Sequence, residues 1–371
     1  MVNLTFKELF HDKGKFFLIL GGLIASMLMM HFGMAMFNGT LKESTLVIDQ
    51  CESDAWIAQE YRDDVLSDSF IPDETFQEIN QLKCVESAEK LIYNFAGFEY
   101  NKDIFTVMTY GYDISSNNLG PWEIVEGKVE DIEEEGKIIL DISVKRKHAN
   151  IKRGDTIKIN DIEVEIAGFC QNAKWFMSPI AFMSLETAEE VMFMENKTSF
   201  IVINLKEGYS FSDLSEKVQD LDDISLYTPE EIRNNTRDFM IFESGMGMGI
   251  GIMVIMGLFV GFLIIILTVY SSIKEKTPEF GTLKALGADK NFIRRMLIGQ
   301  VLTYITISYF LGMGIALAFG TLVKNFAMMP FFFEEISTIL LYLISLSLGV
   351  IAGLMGVRGV EKIDPAIVFK S

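Results

Sequence analysis

Apolar positions along the chain fall into two patterns. Four runs, at 16–37, 245–273, 296–322 and 336–357, contain no Asp, Glu, Lys or Arg and are long enough to cross a bilayer as helices. Between the first and the second, residues 38–244 break every apolar stretch with charge, as a soluble domain does. The first run, FFLILGGLIASMLMMHFGMAMF, would reach ~33 Å as a helix, against a hydrocarbon core of ~30 Å. A signal-peptide core is roughly 7–15 residues, so a retained helix is expected despite the small-x-small triplet Gly33-Met34-Ala35. His31 reads as a neutral residue near the interface rather than as a ligand or proton carrier.

The second run carries Gly257-x-x-x-Gly261, a spacing that lets membrane helices approach closely. It opens on alternating glycines that include Gly245 and Gly249. These four are candidate helix-packing or dimer positions, and the opening ones are also a candidate hinge. Just upstream, Thr228, Pro229 and Glu231 have the chemistry of a capped helix start. A single helix from Pro229 to Ile273 would be ~67 Å long, so its first part is expected to form a stalk outside the membrane.

Within 38–244, DTIKINDIEVEIAGFC alternates apolar and charged residues on both sides of Asn160-Asp161, which predicts a hairpin with one buried face. Residues 46–50, 54–59, 103–114, 137–144 and 199–205 read as further strands. Residues 73–82, 184–193 and 211–221 read as helices. The mixture predicts an α+β domain, in one or two lobes. Glu130–Glu135 (EDIEEE) lacks the alternating oxygen ligands and turn glycine of a calcium loop and reads as a solvated turn. Trp56, Trp122 and Trp175 are expected in the core, with an apolar groove as the alternative.

Composition supports this division. Half of the residues are hydrophobic, with 30 Phe and 21 Met, and they concentrate in the four runs. Residues 38–244 hold 42 of the 51 acidic and 19 of the 32 basic residues, so the net −19 is −23 there and +4 elsewhere. Such acidity argues against nucleic acid, whose phosphates need clustered Lys and Arg. Cys51, Cys84 and Cys170 show no metal spacing; a Cys51–Cys84 bridge is open outside the cytoplasm, but buried free thiols are expected. No Ser/His/Asp spacing, HExxH, GxSxG or GxxxxGK[ST] is present, so no catalytic, cofactor or metal residues are expected in this chain.

Short loops rich in Lys and Arg mark the cytoplasmic side. Lys7, Lys13 and Lys15 precede the first run; Lys274, Lys276, Lys284, Lys290, Arg294 and Arg295 separate the second and third; Arg358, Lys362 and Lys370 follow the fourth. All three groups agree on one topology. The expected fold is four transmembrane α-helices with a large α+β extracytoplasmic domain inserted between helices 1 and 2, multi-pass in the plasma (inner) membrane with both termini cytoplasmic. The segments are then 1–15 (cytoplasmic), 16–37 (helix 1), 38–244 (inserted domain ending in the stalk), 245–273 (helix 2), 274–295 (cytoplasmic loop), 296–322 (helix 3), 323–335 (external loop), 336–357 (helix 4) and 358–371 (cytoplasmic tail).

The 274–295 loop is the most informative stretch. Thr277 and Pro278 suit a helix start, Phe280, Leu283 and Leu286 recur on one face, and Gly287 suits the stop. The residues alone leave open whether this short amphipathic helix lies on lipid headgroups or docks in a groove of a cytosolic protein. The segment EKTPEFGTLKALGADKNFIRRMLIGQ resembles the signature of FtsX-like permeases of the MacB and DevC types, through Glu279-Phe280-Gly281 and Leu283-Lys284-Ala285-Leu286-Gly287. The order of spans and the terminal Asp364-Pro365-Ala366 extend the resemblance.

The resemblance implies a transmembrane permease subunit of an ABC transporter. Pro278, Glu279, Phe280, Gly281, Leu283, Lys284, Leu286 and Gly287 would contact a separate cytosolic ABC ATPase that binds the ATP. It also implies a second permease copy, an extracytoplasmic adaptor in some assemblies, contact with membrane lipid, and an amphiphilic or hydrophobic cargo. The alternatives are a mechanotransmitter that activates an outside partner without transport, and an anchored sensor without an ATPase.

Overall fold

The computed structural model describes residues 13–116, 119–176, 178–275, 290–327 and 329–361, and the chain divides into a helical unit and a sheet unit. The helical unit opens with α1 (Lys13–Ser44), which is longer at both ends than the apolar run 16–37 that seeds it and whose residues from Thr40 on belong to the sheet unit. The sheet unit follows as α2 (Leu46–Gln50), β1 (Ala55–Gln59), β2 (Ile71–Pro72), α3 (Asp73–Asn80), β3 (Val85–Tyr100), β4 (Asp103–Tyr112), β5 (Ile124–Glu126), β6 (Lys137–Asp141), β7 (Thr156–Ile159), β8 (Ile162–Cys170), β9 (Lys174–Trp175) and β10 (Ser178–Ser184). Then come α4 (Leu185–Met192), β11 (Lys197–Thr198), β12 (Phe200–Leu205), α5 (Phe211–Val218), β13 (Ile224–Tyr227) and α6 (Pro229–Asp238). The helical unit resumes with α7 (Met246–Glu275), α8 (Lys290–Ala327) and α9 (Glu335–Glu361). By length and composition, α1, α7, α8 and α9 can each cross a membrane.

The main sheet runs β13–β1–β12–β3–β4–β10–β6–β8–β5, and β7 bonds both β3 and β8. The path β3–β4–β10–β6–β8–β7 therefore returns to its start and makes a small closed ring. Alternate side chains of these strands, among them Phe98, Val107, Ile138, Ile157, Ile166 and Met183, form one core with Ala188 and Val191 of α4. In the wing β13–β1–β12, both faces are covered. Ala55, Ile57, Ile201 and Ile203 pack with Ile79 of α3 and Leu214 and Val218 of α5. On the opposite face Trp56 and Val202 join Tyr93, Tyr110 and Phe182 in a core closed by Ile48 of α2 and Ile232 of α6.

The β7–β8 hairpin turns at Asn160 and Asp161, whose φ values of 49° and 70° are those of a type I′ turn. Asn160 also accepts a bond from the Gly97 N–H at 2.9 Å and donates to the Val191 carbonyl at 2.9 Å, so one residue ties the turn to β3 and α4.

Three sequence expectations need correction. Residues 46–50 are a helical turn, not a strand. Asp49 N–H donates to the Thr45 carbonyl at 2.9 Å, and the Asp49 carboxylate takes bonds from Thr45 Oγ1 and Arg233 Nε. Five residues carry too little periodicity to separate the two states. The stalk is not one helix: α6 passes into a π-helical turn at Phe239–Glu243, Gly245 stands at φ +74°, and α7 begins at Met246. The longest strand, β3, was not foreseen, because Glu86, Glu89 and Lys90 interrupt its apolar residues. Lys90 is held by Asp73 and lies 4.9 Å from the Phe76 ring centroid.

Candidate functional site

The residues that the sequence reading expects to contact an ATPase follow α7. Pro278, Glu279, Phe280, Gly281, Leu283, Lys284, Leu286 and Gly287 lie outside the described residues, which resume at Lys290. The near edge of the loop is described. Lys15 Nζ donates to Glu275 Oε2 at 2.6 Å and to Ser271 Oγ at 3.1 Å, and Ser271 Oγ donates to Glu275 Oε1 at 2.9 Å. The first turn of α1 and the last turn of α7 are thus joined by a charged triad within the helical unit.

The candidate packing glycines separate into two pairs. A Cβ on Gly257 would lie 2.7 Å from Met30 Cγ and 3.3 Å from the Ser26 carbonyl, and one on Gly261 would lie 2.6 Å from Ser26 Oγ. Ser26 Oγ donates to the Gly257 carbonyl at 2.6 Å in a buried setting. These two glycines bring α7 against α1 of the same chain. Gly245 and Gly249, by contrast, have no atom within 4 Å of a Cβ position, and Gly245 forms the left-handed break before α7. Gly312 uses the same close approach to place α8 on α1 at Met27 and Leu28, and Gly349 receives the Ile305 side chain between α9 and α8. His31 is buried in this unit and stacks edge-on against Tyr309 at 4.6 Å.

The sheet unit contains a cleft of about 660 Å³ that the sequence did not assign. Three stretches meet there: Gln50 and Glu52 after α2, Ile114–Ser116 with Gly120–Trp122 after β4, and Val129, Glu130 and Glu133 before β6. Trp122 is held by Phe182 at 5.1 Å (90°) and Tyr110 at 5.6 Å (76°), which fixes the indole as one wall. Residues 129–132 form a 3₁₀ turn, a geometry in which positions i and i+3 eclipse, so Glu130 and Glu133 share a side. That spacing was visible in EDIEEE, but nothing in the sequence placed the run beside Trp122. Ser116 hydrogen-bonds Glu89, whose carboxyl is pushed up by burial first and by Asp113 as well.

The three cysteines are free and buried. Cys51 Sγ lies 3.4 Å from Tyr110 Oη, and burial pushes its thiol up to about 12. Trp56 is a core residue whose indole donates to Ser53 Oγ at 2.9 Å, and Trp175 packs on Phe95 at 4.9 Å.

Comparison with known proteins adds the following. The FtsX-like permease C-terminal model matches residues 251–365, and the MacB-like periplasmic core domain model matches residues 16–221. Over 371 residues, 98% of each chain, the sequence is 23% identical to a protein of Staphylococcus epidermidis described as a putative hemin transport system permease protein, HrtB. It is 26% identical over 244 residues to an uncharacterized ABC transporter permease of Methanocaldococcus jannaschii, spanning 60% of that relative's length and 60% of its own. Among solved structures, the periplasmic region of MacB from Actinobacillus actinomycetemcomitans aligns with TM-score 0.40 and 13% identity, over 51% of this chain and 94% of that one. The extracellular domain of the noncanonic ABC-type transporter YknZ from Gram-positive bacteria aligns with TM-score 0.38 and 7% identity, over 48% and 100%.

Proposed function

Because the chain belongs to the MacB-like and FtsX-like family of ABC transporter permeases, we propose that it couples ATP hydrolysis by a separate cytosolic subunit to movement of its inserted domain, for export or extraction of an amphiphilic compound. It is a membrane protein, and its basic loops argue for both termini and residues 276–289 on the cytoplasmic side. The carrying observation is the Glu279-Phe280-Gly281 and Leu283-Lys284-Ala285-Leu286-Gly287 pattern between two membrane helices. The amphipathic spacing expected of a short turn there supports Phe280 and Leu283 as the residues that meet the ATPase. Closure of paired ATPases pulls on that turn, and the Lys15–Ser271–Glu275 triad passes the displacement to α1 as well as α7. Helices packed through Gly257, Gly261 and Gly312 move as blocks, since well-packed interfaces switch between discrete arrangements. A second permease copy is expected to complete the assembly. The name of the Staphylococcus relative supports a poorly soluble, amphiphilic cargo.

A second reading, mechanical activation of an outside partner without transport, is favoured by the packing of the bundle. The space left between α1, α7 and α9 near Ser26, Met30 and Ser345 is about 10 Å³, at the lower limit for a single water. Cargo therefore has no route through that part of one chain. Phe280→Asp tests the coupling: it should abolish co-purification of the ATPase from native membranes while leaving the chain in the membrane fraction. Undiminished capture would refute docking through this loop. ATP-dependent loss of a labelled amphiphile from liposomes then separates transport from mechanical signalling.

A further inference from the structure

The cleft beside Trp122 has an electrostatic imbalance that its surroundings lack. Nearby acidic side chains are paired: Asp131 with Arg153 at 2.7 Å, Glu134 with Lys137 at 2.6 Å, and Glu126 with Lys145 at 3.7 Å. Glu52, Glu130 and Glu133 have no ion pair among the described residues, and no Lys or Arg lines the cleft. Of the nearby cations, Lys137, Lys145 and Arg153 are paired with Glu134, Glu126 and Asp131. Three acidic residues from two separate chain stretches thus line one concave cavity whose described lining holds no Lys or Arg.

The second property is the wall. Trp122, Pro121, Ile114 and Val129 give the cleft an apolar side, and the indole is immobilised by two perpendicular aromatic contacts before any ligand arrives. A volume of about 660 Å³ lies within the roughly 300–1,000 Å³ of sites that hold small organic molecules. A cation near an indole face gains from the ring quadrupole, and the carboxylates add attraction at hydrogen-bond range.

We propose that this cleft binds hydrophobic organic cations, meaning amines or quaternary ammonium compounds with an aromatic or aliphatic body, and that this is the class of compound the permease handles. The assignment to cargo rests on the permease reading above; the binding itself does not. It sets this chain apart from the hemin of its relative's name, because hemin carries two carboxylates that Glu52, Glu130 and Glu133 repel. A bare divalent ion is the wrong occupant, since it leaves the Trp122 wall without a role.

The test uses the full chain in nanodiscs with rhodamine 6G as probe, and empty nanodiscs to subtract partition into lipid. The anionic dye sulforhodamine B and hemin serve as controls. Saturable rhodamine 6G binding is expected, with sulforhodamine B and hemin at least tenfold weaker. The triple substitution Glu52→Gln, Glu130→Gln, Glu133→Gln should weaken rhodamine 6G about tenfold or more. These side chains are exposed, so the fold is retained, which co-purification with the ATPase checks. Trp122→Phe, which keeps a ring against Tyr110 and Phe182, should weaken it a few-fold. Equal binding of cationic and anionic dyes, or an unchanged affinity in the triple variant, overturns the proposal. No ATPase is present in the binding measurement, so a failure of coupling through Phe280 leaves this result unmoved. Conversely, loss of the cleft leaves ATPase capture intact.

Discussion

Gly257 and Gly249 lie about two turns apart on α7 and meet different surroundings. A methyl group on Gly257 has to displace Met30 and the Ser26 backbone, and overpacking of that kind costs about 1–3 kcal/mol. Gly257→Ala should therefore lower the thermal midpoint of the detergent-solubilised protein, whereas Gly249→Ala, with open space around it, should leave it unchanged or raise it slightly. Both glycines were equally visible in the sequence as small residues in an apolar run. Only the position of α1 distinguishes them, and that depends on partners more than two hundred residues away. The cysteines carry a second residue-level prediction. Cys51 is pushed up to about 12 by burial, so its thiolate is scarce at pH 8 and its alkylation by iodoacetamide should be slow until the protein is denatured. The stability this thiol contributes is fully present below the unfolded value near pH 8.5 and is lost as pH rises toward 12. Alkaline unfolding followed by tryptophan fluorescence should accordingly shift upward in Cys51→Ala, which has no thiol to ionise, once its neutral-pH cavity cost is subtracted.

Among elements, legibility followed periodicity. The β7–β8 hairpin was readable because strict alternation and an Asn-Asp turn point to the same structure. The capped start of α6 was readable too: Thr228 Oγ1 accepts from Glu231 N–H at 3.2 Å, and the Glu231 carboxylate accepts from Thr228 N–H at 2.8 Å. What sequence periodicity does not carry is a strand such as β3, where Glu86, Glu89 and Lys90 interrupt the apolar positions and Leu91, Ile92 and Tyr93 are buried in succession; the break before α7 was signalled by Gly245 itself, a candidate hinge. The break at Gly245 gives the element-level prediction. A left-handed φ costs a non-glycine residue about 1–2 kcal/mol, so Gly245→Ala should destabilise the protein by about that amount or drive α6 and α7 toward one helix. Gly251→Ala, inside α7 with nothing near its Cβ position, should not. Paired urea or thermal titrations of the two variants decide this.

At the scale of the whole molecule, four charge-free runs and three basic segments sufficed to expect four spans with one inserted domain, and the permease reading came from the resemblance of Glu279-Phe280-Gly281 and Leu283-Lys284-Ala285-Leu286-Gly287. The cleft was not legible, because it is made by Gln50–Glu52, Trp122 and Glu130–Glu133, three stretches that only the folded sheet brings together. The Lys15–Ser271–Glu275 triad was hidden for the same reason: Lys15 lies more than 250 residues from its two partners. Lys15→Met should reduce ATP-driven cargo release about two- to five-fold, and the exchange Lys15→Glu with Glu275→Lys should restore much of it, a recovery that simple loss of packing would not give. One further consequence follows from β3. Its first part, Val85–Leu91, bonds β12; its second part, Leu91–Tyr100, bonds β4; and Phe98 and Glu99 near its end also bond β7. A single sixteen-residue strand thus belongs both to the wing and to the closed ring. The inserted domain has no seam at which it could be cut into two modules. Relatives of this chain can lengthen its surface loops independently, but exchanging half of the domain between them would have to divide one strand. The domain is therefore expected to be inherited, and to tilt, as an indivisible beam.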